Sequence, residues 1–247
     1  MTKKEYYLHA LVDSGDWTEY LMENSGLPGP RANLELMQAY VELGSEKDFI
    51  PLLDYTPEVA PENTPGEFLA FCGTAGLGEI IANGLREYLP DLRKQASDPR
   101  WRIREAVAMA LQFIGKHDFY LLSFICSEWV CGNFLEQRAL AAGICEPDLL
   151  SDPRHAELAL QLLDQITQLL SGVKNRKFDD FRVLRKGLGY CWSVSVASNP
   201  EFGKPAFEKL IELGDKDVNW IIRENLKKNR LIKMDSAWVN TLSARIK

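Results

Sequence analysis

The sequence predicts an all-α fold built from repeated pairs of helices. Apolar residues recur at the three-to-four-residue spacing of amphipathic helices along nearly the whole chain, whereas the alternating pattern of half-buried strands is nearly absent. The chain also contains an internal duplication, because the segments 98–105 and 217–224 both read D-x-x-W-x-I-R-E. Five identities in eight positions, at matching places in two helix–turn–helix units, indicate a structural repeat.

The first 83 residues are expected to form helices separated by glycine and proline. A proline-containing loop over 57–65 precedes the longest apolar segment of this part. Helical spacing and the positions of glycine and proline predict four helices, over 5–22, 30–43, 46–53 and 66–82. Because the duplicated motif is not clear here, residues 1–83 are predicted to be either degenerate repeats or a helical cap.

From Gly84 onward the pattern becomes repetitive. The predicted helix pairs are 88–96 with 100–114, the latter closed by Gly115, and 205–213 with a helix from 218. A third, weaker copy begins at Asp179, and a fourth is suggested where Asn133 precedes a helix. The arginines at the matching place in the four copies, spaced by 34, 47 and 38 residues, are Arg104, Arg138, Arg185 and Arg223.

Together, a Leu-x-x-Leu segment at 89–92, a turn with Asp98, the pair Ile103-Arg104 and an alanine-rich helix resemble the HEAT repeat. The resemblance is clear in two units and partial in two more. It implies a right-handed α-α superhelix of helix pairs over 84–247, within a single α-solenoid domain spanning 1–247.

The repeated polar residues have two interpretations. Asp98 and Asp217 stand where a side-chain oxygen caps the second helix of a unit. Arg104 and Arg223 resemble the HEAT arginine that bonds to turns of the neighbouring repeat. The alternative is that these arginines, with Arg185, form a row facing a ligand.

The C-terminal repeat carries the strongest candidate binding site. Residues 223–233 contain five Lys or Arg against one Glu, a local net charge of +4. If one helix continues through this segment, Arg223, Lys227 and Arg230 fall within an arc of about 60°, with Trp220 at its edge. An aromatic ring beside aligned cations suits an anionic ligand, either a phosphate backbone or an acidic peptide. The alternative is a solvated face with Trp220 packed inward.

Other motifs give no support for cofactor or metal chemistry. The glycines at 73–78 and 187–189 lack the spacing of phosphate-binding loops, and we expect them to allow close helix packing. The three histidines are far apart, and Cys126 and Cys131 lack the spacing of a zinc motif. We therefore expect no cofactor and no metal, and no catalytic residue is identified.

Composition favours a cytoplasmic chain that does not enter a membrane. Formal net charge is −6 and the pI is near 5.3, so nucleic acid would need a local basic patch. No apolar run reaches the length of a membrane span, and no signal peptide is visible at the start.

The expected function is a non-catalytic scaffold that binds a macromolecular partner, a protein or peptide in the first instance, along a concave surface. The alternative rests on a resemblance of architecture to DNA alkylation-repair glycosylases of the AlkD type, which implies nucleic-acid binding and, if the chain is an enzyme, glycosylase activity.

Overall fold

The structure, a computed structural model, describes residues 1–246, and these contain helices and no strand. The predicted all-α class is confirmed. The α-helices of this part are α1 Lys3–Asp13, α2 Trp17–Glu23, α3 Leu34–Leu43, α4 Glu46–Phe49, α5 Pro65–Ala82, α6 Leu89–Gln95, α7 Trp101–His117, α8 Phe119–Trp129, α9 Phe134–Ile144, α10 Pro153–Ser171, α11 Asp179–Ser198, α12 Pro200–Lys209, α13 Lys216–Leu226, α14 Asn229–Met234 and α15 Ser236–Arg245. Short 3₁₀ helices occupy Ile50–Asp54, Arg86–Tyr88, Leu149–Ser151 and Leu210–Leu213.

The chain divides into two compact units, residues 1–118 and the part from Phe119 onward. The single solenoid over 1–247 stays a prediction, as does the origin of residues 1–83. No helix of the described residues is both long and apolar enough to cross a membrane. The cytoplasmic location stays a prediction.

Helices α5 and α7 form the centre of the first unit and run parallel. Glu67 near the start of α5 binds Arg102 near the start of α7, and Gly78 farther along α5 meets Ala110. A Cβ atom at Gly78 would lie 2.5 Å from the Cα atom of Ala110, so the two backbones approach this closely only because residue 78 is glycine. The close packing expected around this glycine segment is confirmed.

The second unit contains the same parallel arrangement in α9 and α11. The rings of Phe134 and Phe181, near the starts of the two helices, meet edge to face with centroids 5.7 Å apart. Farther along, a Cβ atom at Gly187 would lie 3.4 Å from the Arg138 side chain. Contacts therefore advance in the same direction along both helices, and Gly187 leaves room for an arginine from α9.

Helix α13 continues this row beside α11. Arg185 pairs with Asp217 near the start of α13. Two turns later, the Asn225 side chain accepts a 2.7 Å hydrogen bond from the Ser193 amide and donates a 2.9 Å bond to the Leu188 carbonyl. A buried polar side chain of α13 is thereby bonded to the backbone of α11. These bonds fix the register of the two helices.

Helices α10 and α12 also pack on α11, through the buried Trp192. Its indole N–H donates a 3.0 Å hydrogen bond to the Thr167 hydroxyl of α10, and its ring lies 5.6 Å from that of Phe207 in α12. Trp192 is fully buried, so its large apolar surface anchors both neighbours.

The N-terminal helix predicted over 5–22 is wrong, because the chain breaks at 14–16 into α1 and α2. The Asp16 carboxylate accepts hydrogen bonds of 2.8 and 3.2 Å from two backbone N–H groups in the first turn of α2, which makes it the cap. The Trp17 indole donates a 2.7 Å bond to the Leu11 carbonyl at the end of α1. That contact stabilises the break.

The second helix begins later than predicted. Pro30 lies outside α3, which is capped by Asn33 through a 3.1 Å bond to the Leu36 amide. The Asn33 side chain also donates a 2.8 Å bond to the Tyr7 hydroxyl, so its capping position is held by α1. The predicted end before Gly44 is confirmed.

The later predicted elements are largely confirmed, with shifted ends. The segment 46–53 is helical but changes to 3₁₀ geometry after α4, and the 66–82 helix follows its predicted loop as α5. The helix predicted over 205–213 begins earlier, at Pro200, whose missing N–H suits a first-turn position.

Neither aspartate of the repeated motif caps the helix expected. Helix α7 begins after Arg100, and Asp98 instead binds the backbone N–H and the guanidinium of Arg100 at 2.7–3.0 Å. Helix α13 is capped by Asp215, whereas Asp217 lies within its first turn and binds arginines. Helix α7 also does not end at Gly115 as predicted. It continues through this glycine, and the backbone becomes extended only after His117.

Candidate anion-binding surface

An exposed stripe along α11 presents two cations and an aromatic ring. Arg182, Lys186 and Tyr190 are four residues apart, so they lie on one face of the helix, and all three are exposed. Tyr190 retains 48% of its accessible surface, which is high for an aromatic side chain. Sequence reasoning missed Lys186 and Tyr190, although their spacing becomes a visible signal once α11 is assigned as one long helix.

Two cations that follow α13 contact the Tyr190 ring. The Arg230 guanidinium lies 4.6 Å from the ring centroid and donates a 2.5 Å hydrogen bond to the Tyr190 hydroxyl. The Lys228 ammonium lies 5.5 Å from the same centroid. Such contacts are favourable because the face of an aromatic ring carries partial negative charge. They orient both cations without using a carboxylate.

We call Lys186, Tyr190, Lys228 and Arg230 the cationic surface. Within residues 1–246, none of its three cations forms an ion pair. The neighbouring Arg182 differs from these three, because it pairs with a carboxylate of its own helix at 2.5 Å. The cationic surface therefore keeps net positive charge beside an exposed ring.

The helical arc proposed from the sequence is wrong in its geometry. Helix α13 ends at Leu226 and α14 begins at Asn229, so Arg230 is not on the helix that carries Arg223 and Lys227. Arg223 is exposed, and Lys227 pairs with Glu224 at 2.5 Å.

Trp220 is neither fully exposed nor packed into the core. The Arg185 guanidinium lies 4.5 Å from its ring centroid, and its ring edge would lie 3.0 Å from a Cβ atom at Gly189. Gly189 therefore provides the space in which this ring crosses α11. The two glycines of the 187–189 segment accordingly serve close packing, as predicted.

Asp217 links two arginines on different segments. Its carboxylate accepts a 2.8 Å bond from Arg176 and pairs with Arg185, and only 7% of its side chain is exposed. Burial acts to raise the pKa of Asp217, but the hydrogen bonds from the two arginines outweigh it and hold the pKa below its ordinary value. Arg176 also pairs with Asp215 at 2.7 Å.

Arg185, which the sequence placed in the possible row facing a ligand, joins neighbouring helices, because it reaches from α11 to the start of α13. Arg104 donates hydrogen bonds of 2.6 and 2.8 Å to the carbonyls of Asp98 and Pro99, in the turn before its own helix. Six residues were predicted from the sequence to contact a partner. Arg104 lies in the first unit, and the other five lie in the second, namely Arg185, Trp220, Arg223, Lys227 and Arg230.

Charge is unevenly distributed between the units. Residues 1–118 carry 11 Lys and Arg against 19 Asp and Glu, a net charge of −8. Residues 119–247 carry 18 against 16, a net charge of +2. The overall acidity therefore comes from the first unit, and the second combines near neutrality with a local concentration of cations.

Comparison of the chain with protein-family models, with curated proteins and with solved structures gives no match. In the part of the chain that the structure describes, no group of three or more His, Cys, Asp or Glu side chains is placed to hold a metal ion.

Proposed function

We propose that this chain is a non-catalytic scaffold of the HEAT type, a right-handed superhelix of helix pairs, whose cationic surface binds an acidic segment of a partner protein. Support for the repeat comes from parallel packing of helices two positions apart in the chain, α5 with α7, α9 with α11, and α11 with α13. In such arrays each pair buries its apolar face against the next and leaves an extended surface for partners.

The observation that carries the proposed function is the contact of the exposed Tyr190 ring with both Lys228 and Arg230. Two cations are oriented by one exposed ring, and Lys186 lies one helical turn away on the same stripe. A carboxylate arriving here gains hydrogen bonds from cations that form no ion pair with the residues the structure describes, and the ring offers an apolar contact.

Charge compensation favours an acidic peptide over a nucleic acid. Arg176, Arg182, Arg185 and Lys227 already bind carboxylates, which reduces the number of cations available to phosphates. Nucleic-acid affinity rises with the number of phosphates neutralised, so a surface with few uncompensated cations is a weak site for a duplex. For the AlkD-type alternative, we identify no catalytic position in this chain.

Charge reversal of the cationic surface should abolish binding of acidic peptide. We expect the double variant Lys186→Glu/Arg230→Glu to bind a fluorescent glutamate-rich peptide at least about tenfold more weakly than the unmodified protein, because two attractive contacts become repulsive. Fluorescence anisotropy, measured at low and raised salt, gives the affinities, and a short DNA duplex serves as the second probe.

The matched control is Lys3→Glu/Lys47→Glu, which changes net charge equally at two exposed lysines of the first unit. This control should retain peptide binding. Equal losses in both double variants would show a net-charge effect only, and tighter binding to DNA than to peptide would favour the nucleic-acid alternative.

A further inference from the structure

A groove of about 480 Å³ lies between α10 and α12, on residues that the cationic surface does not use. Its lining residues span 153–164 on one wall and 199–209 on the other, at the spacing of one helical face each. At about 1.5 Å per residue, each wall is roughly 15 Å long. The groove therefore has the length of about three turns of a third helix.

The groove has an apolar floor and one exposed aromatic wall. Leu160 of α10 is almost completely buried at the floor, and the small side chain of Ala206 in α12 leaves space above it. Phe202, one turn before Ala206, keeps 64% of its surface exposed. An aromatic residue beside a small one is an arrangement into which the apolar face of another helix can pack.

The rim on the α10 side is acidic. Glu157 and Asp164 lie two helical turns apart, and their carboxylates accept hydrogen bonds of 3.0 and 2.7 Å from the side-chain amides of Gln161 and Gln168. Neither carboxylate has an ion-pair partner among the side chains the structure describes. Among the described residues that line the groove, the opposite wall contributes one cation, Lys209, near the end of that wall. A partner with two cations two turns apart would satisfy both carboxylates.

We infer that this groove binds a basic amphipathic helix of a partner protein, about three turns long, with apolar residues toward Leu160 and Phe202 and cations toward Glu157 and Asp164. A helix suits the site better than an extended segment. The walls are helices whose backbone groups are bonded internally, so an extended peptide would find no backbone partners there.

The test uses a stapled helical peptide of three turns, with leucines on one face and lysines at positions i and i+7. The staple is needed because helices this short are marginal in water. Fluorescence anisotropy should show saturable binding to the full-length protein, and a peptide with glutamate in place of both lysines should bind at least about tenfold more weakly.

Three variants of the groove test the site. Ala206→Arg fills the space above the floor, Phe202→Ser removes the apolar wall, and Glu157→Lys/Asp164→Lys reverses the rim. Each variant should bind the lysine peptide at least about tenfold more weakly than the unmodified protein. The matched control is Phe124→Ser, which removes an aromatic side chain of similar exposure, 54%, from α8 and should leave binding unchanged.

Thermal unfolding of each variant keeps the test interpretable if Ala206→Arg disturbs folding, since the rim reversal changes one exposed and one half-buried carboxylate and no core residue. Absence of saturable binding by the lysine peptide would overturn the inference, as would binding that survives both Ala206→Arg and the rim reversal. The cationic surface is tested separately, because Lys186→Glu/Arg230→Glu should not weaken this basic probe.

Discussion

Replacing Arg102 by alanine is expected to lower the free energy of unfolding of the first unit by about 3–5 kcal/mol, the range for a buried ion pair that loses one partner. Arg102 binds Glu67 at 3.2 Å and the Gly29 carbonyl at 2.8 Å. Glu67 is fully buried, and its second carboxylate oxygen has no hydrogen-bond partner. Removing the guanidinium therefore leaves a buried charge that keeps the hydrogen bond from the Asn63 amide but has lost its ion pair.

The pH dependence of this loss identifies its cause. Burial raises the pKa of Glu67 above its ordinary value, while the Asn63 amide and Arg102 oppose the shift. Without Arg102 the pKa should rise further. When the pKa of a carboxyl is raised in the folded state, the free energy of unfolding decreases as pH increases from the unfolded pKa, about 4.3, through the folded pKa. The destabilisation by Arg102→Ala should therefore be larger near neutral pH than in mild acid.

Hydrogen exchange of the amides in α5 and α7, followed against pH, reports the local free energy of opening in this unit. The control is Arg86→Ala, which removes an exposed arginine paired with Asp118 at 3.4 Å and should leave protection unchanged. A small, pH-independent loss for Arg102→Ala would show that Glu67 does not carry a buried charge.

Replacing Asp217 by asparagine is expected to destabilise the second unit by about 2–3 kcal/mol, somewhat less than a fully buried pair because Arg185 is partly exposed. Two arginines lose their shared carboxylate. Because the pKa of Asp217 is lowered in the folded state, its contribution is present above the unfolded pKa of about 3.9 and is lost as pH falls below it. The difference between variant and parent should therefore shrink on acidification.

Denaturant unfolding followed by the fluorescence of the second unit's tryptophans measures this loss. The control is Asp152→Asn, an aspartate paired with the exposed Arg154 at 2.7 Å, which should hardly change the midpoint. Asp217→Asn should also strengthen binding of the glutamate-rich peptide at low salt, since it uncovers Arg185 of α11, the helix that carries Lys186 and Tyr190. An unchanged free energy of unfolding for Asp217→Asn would show that Asp217 does not stabilise the packing of α11 and α13.

The helices predictable from sequence are those in which pattern and termination agree. Helix α5 combines an unbroken apolar segment with a proline at its start, and the end of α3 coincides with Gly44. The break between α1 and α2 was missed because it depends on the Trp17 indole reaching the Leu11 carbonyl, a contact that no local pattern expresses.

The site was harder to predict because its members are joined by tertiary contacts. Two aspartates two residues apart stand at the start of α13, and only the folded backbone shows that Asp215 caps the helix while Asp217, in its first turn, binds Arg176 from a distant loop. The end of α13 is not marked by glycine or proline, so Arg230 was placed on the wrong helix. Its position beside Tyr190 results from the packing of α14 on α11.

The most direct test of the proposed function is photo-crosslinking from the cationic surface itself. A photoreactive phenylalanine analogue replaces Tyr190, and irradiation is carried out in extract of the native cell, with and without nuclease. The same analogue at Phe124, an exposed aromatic position of α8, serves as the control. We expect one acidic protein to be crosslinked from position 190 in both extracts, and not from position 124. Adducts that disappear after nuclease treatment, or identical adducts from both positions, would contradict an acidic protein partner at this surface.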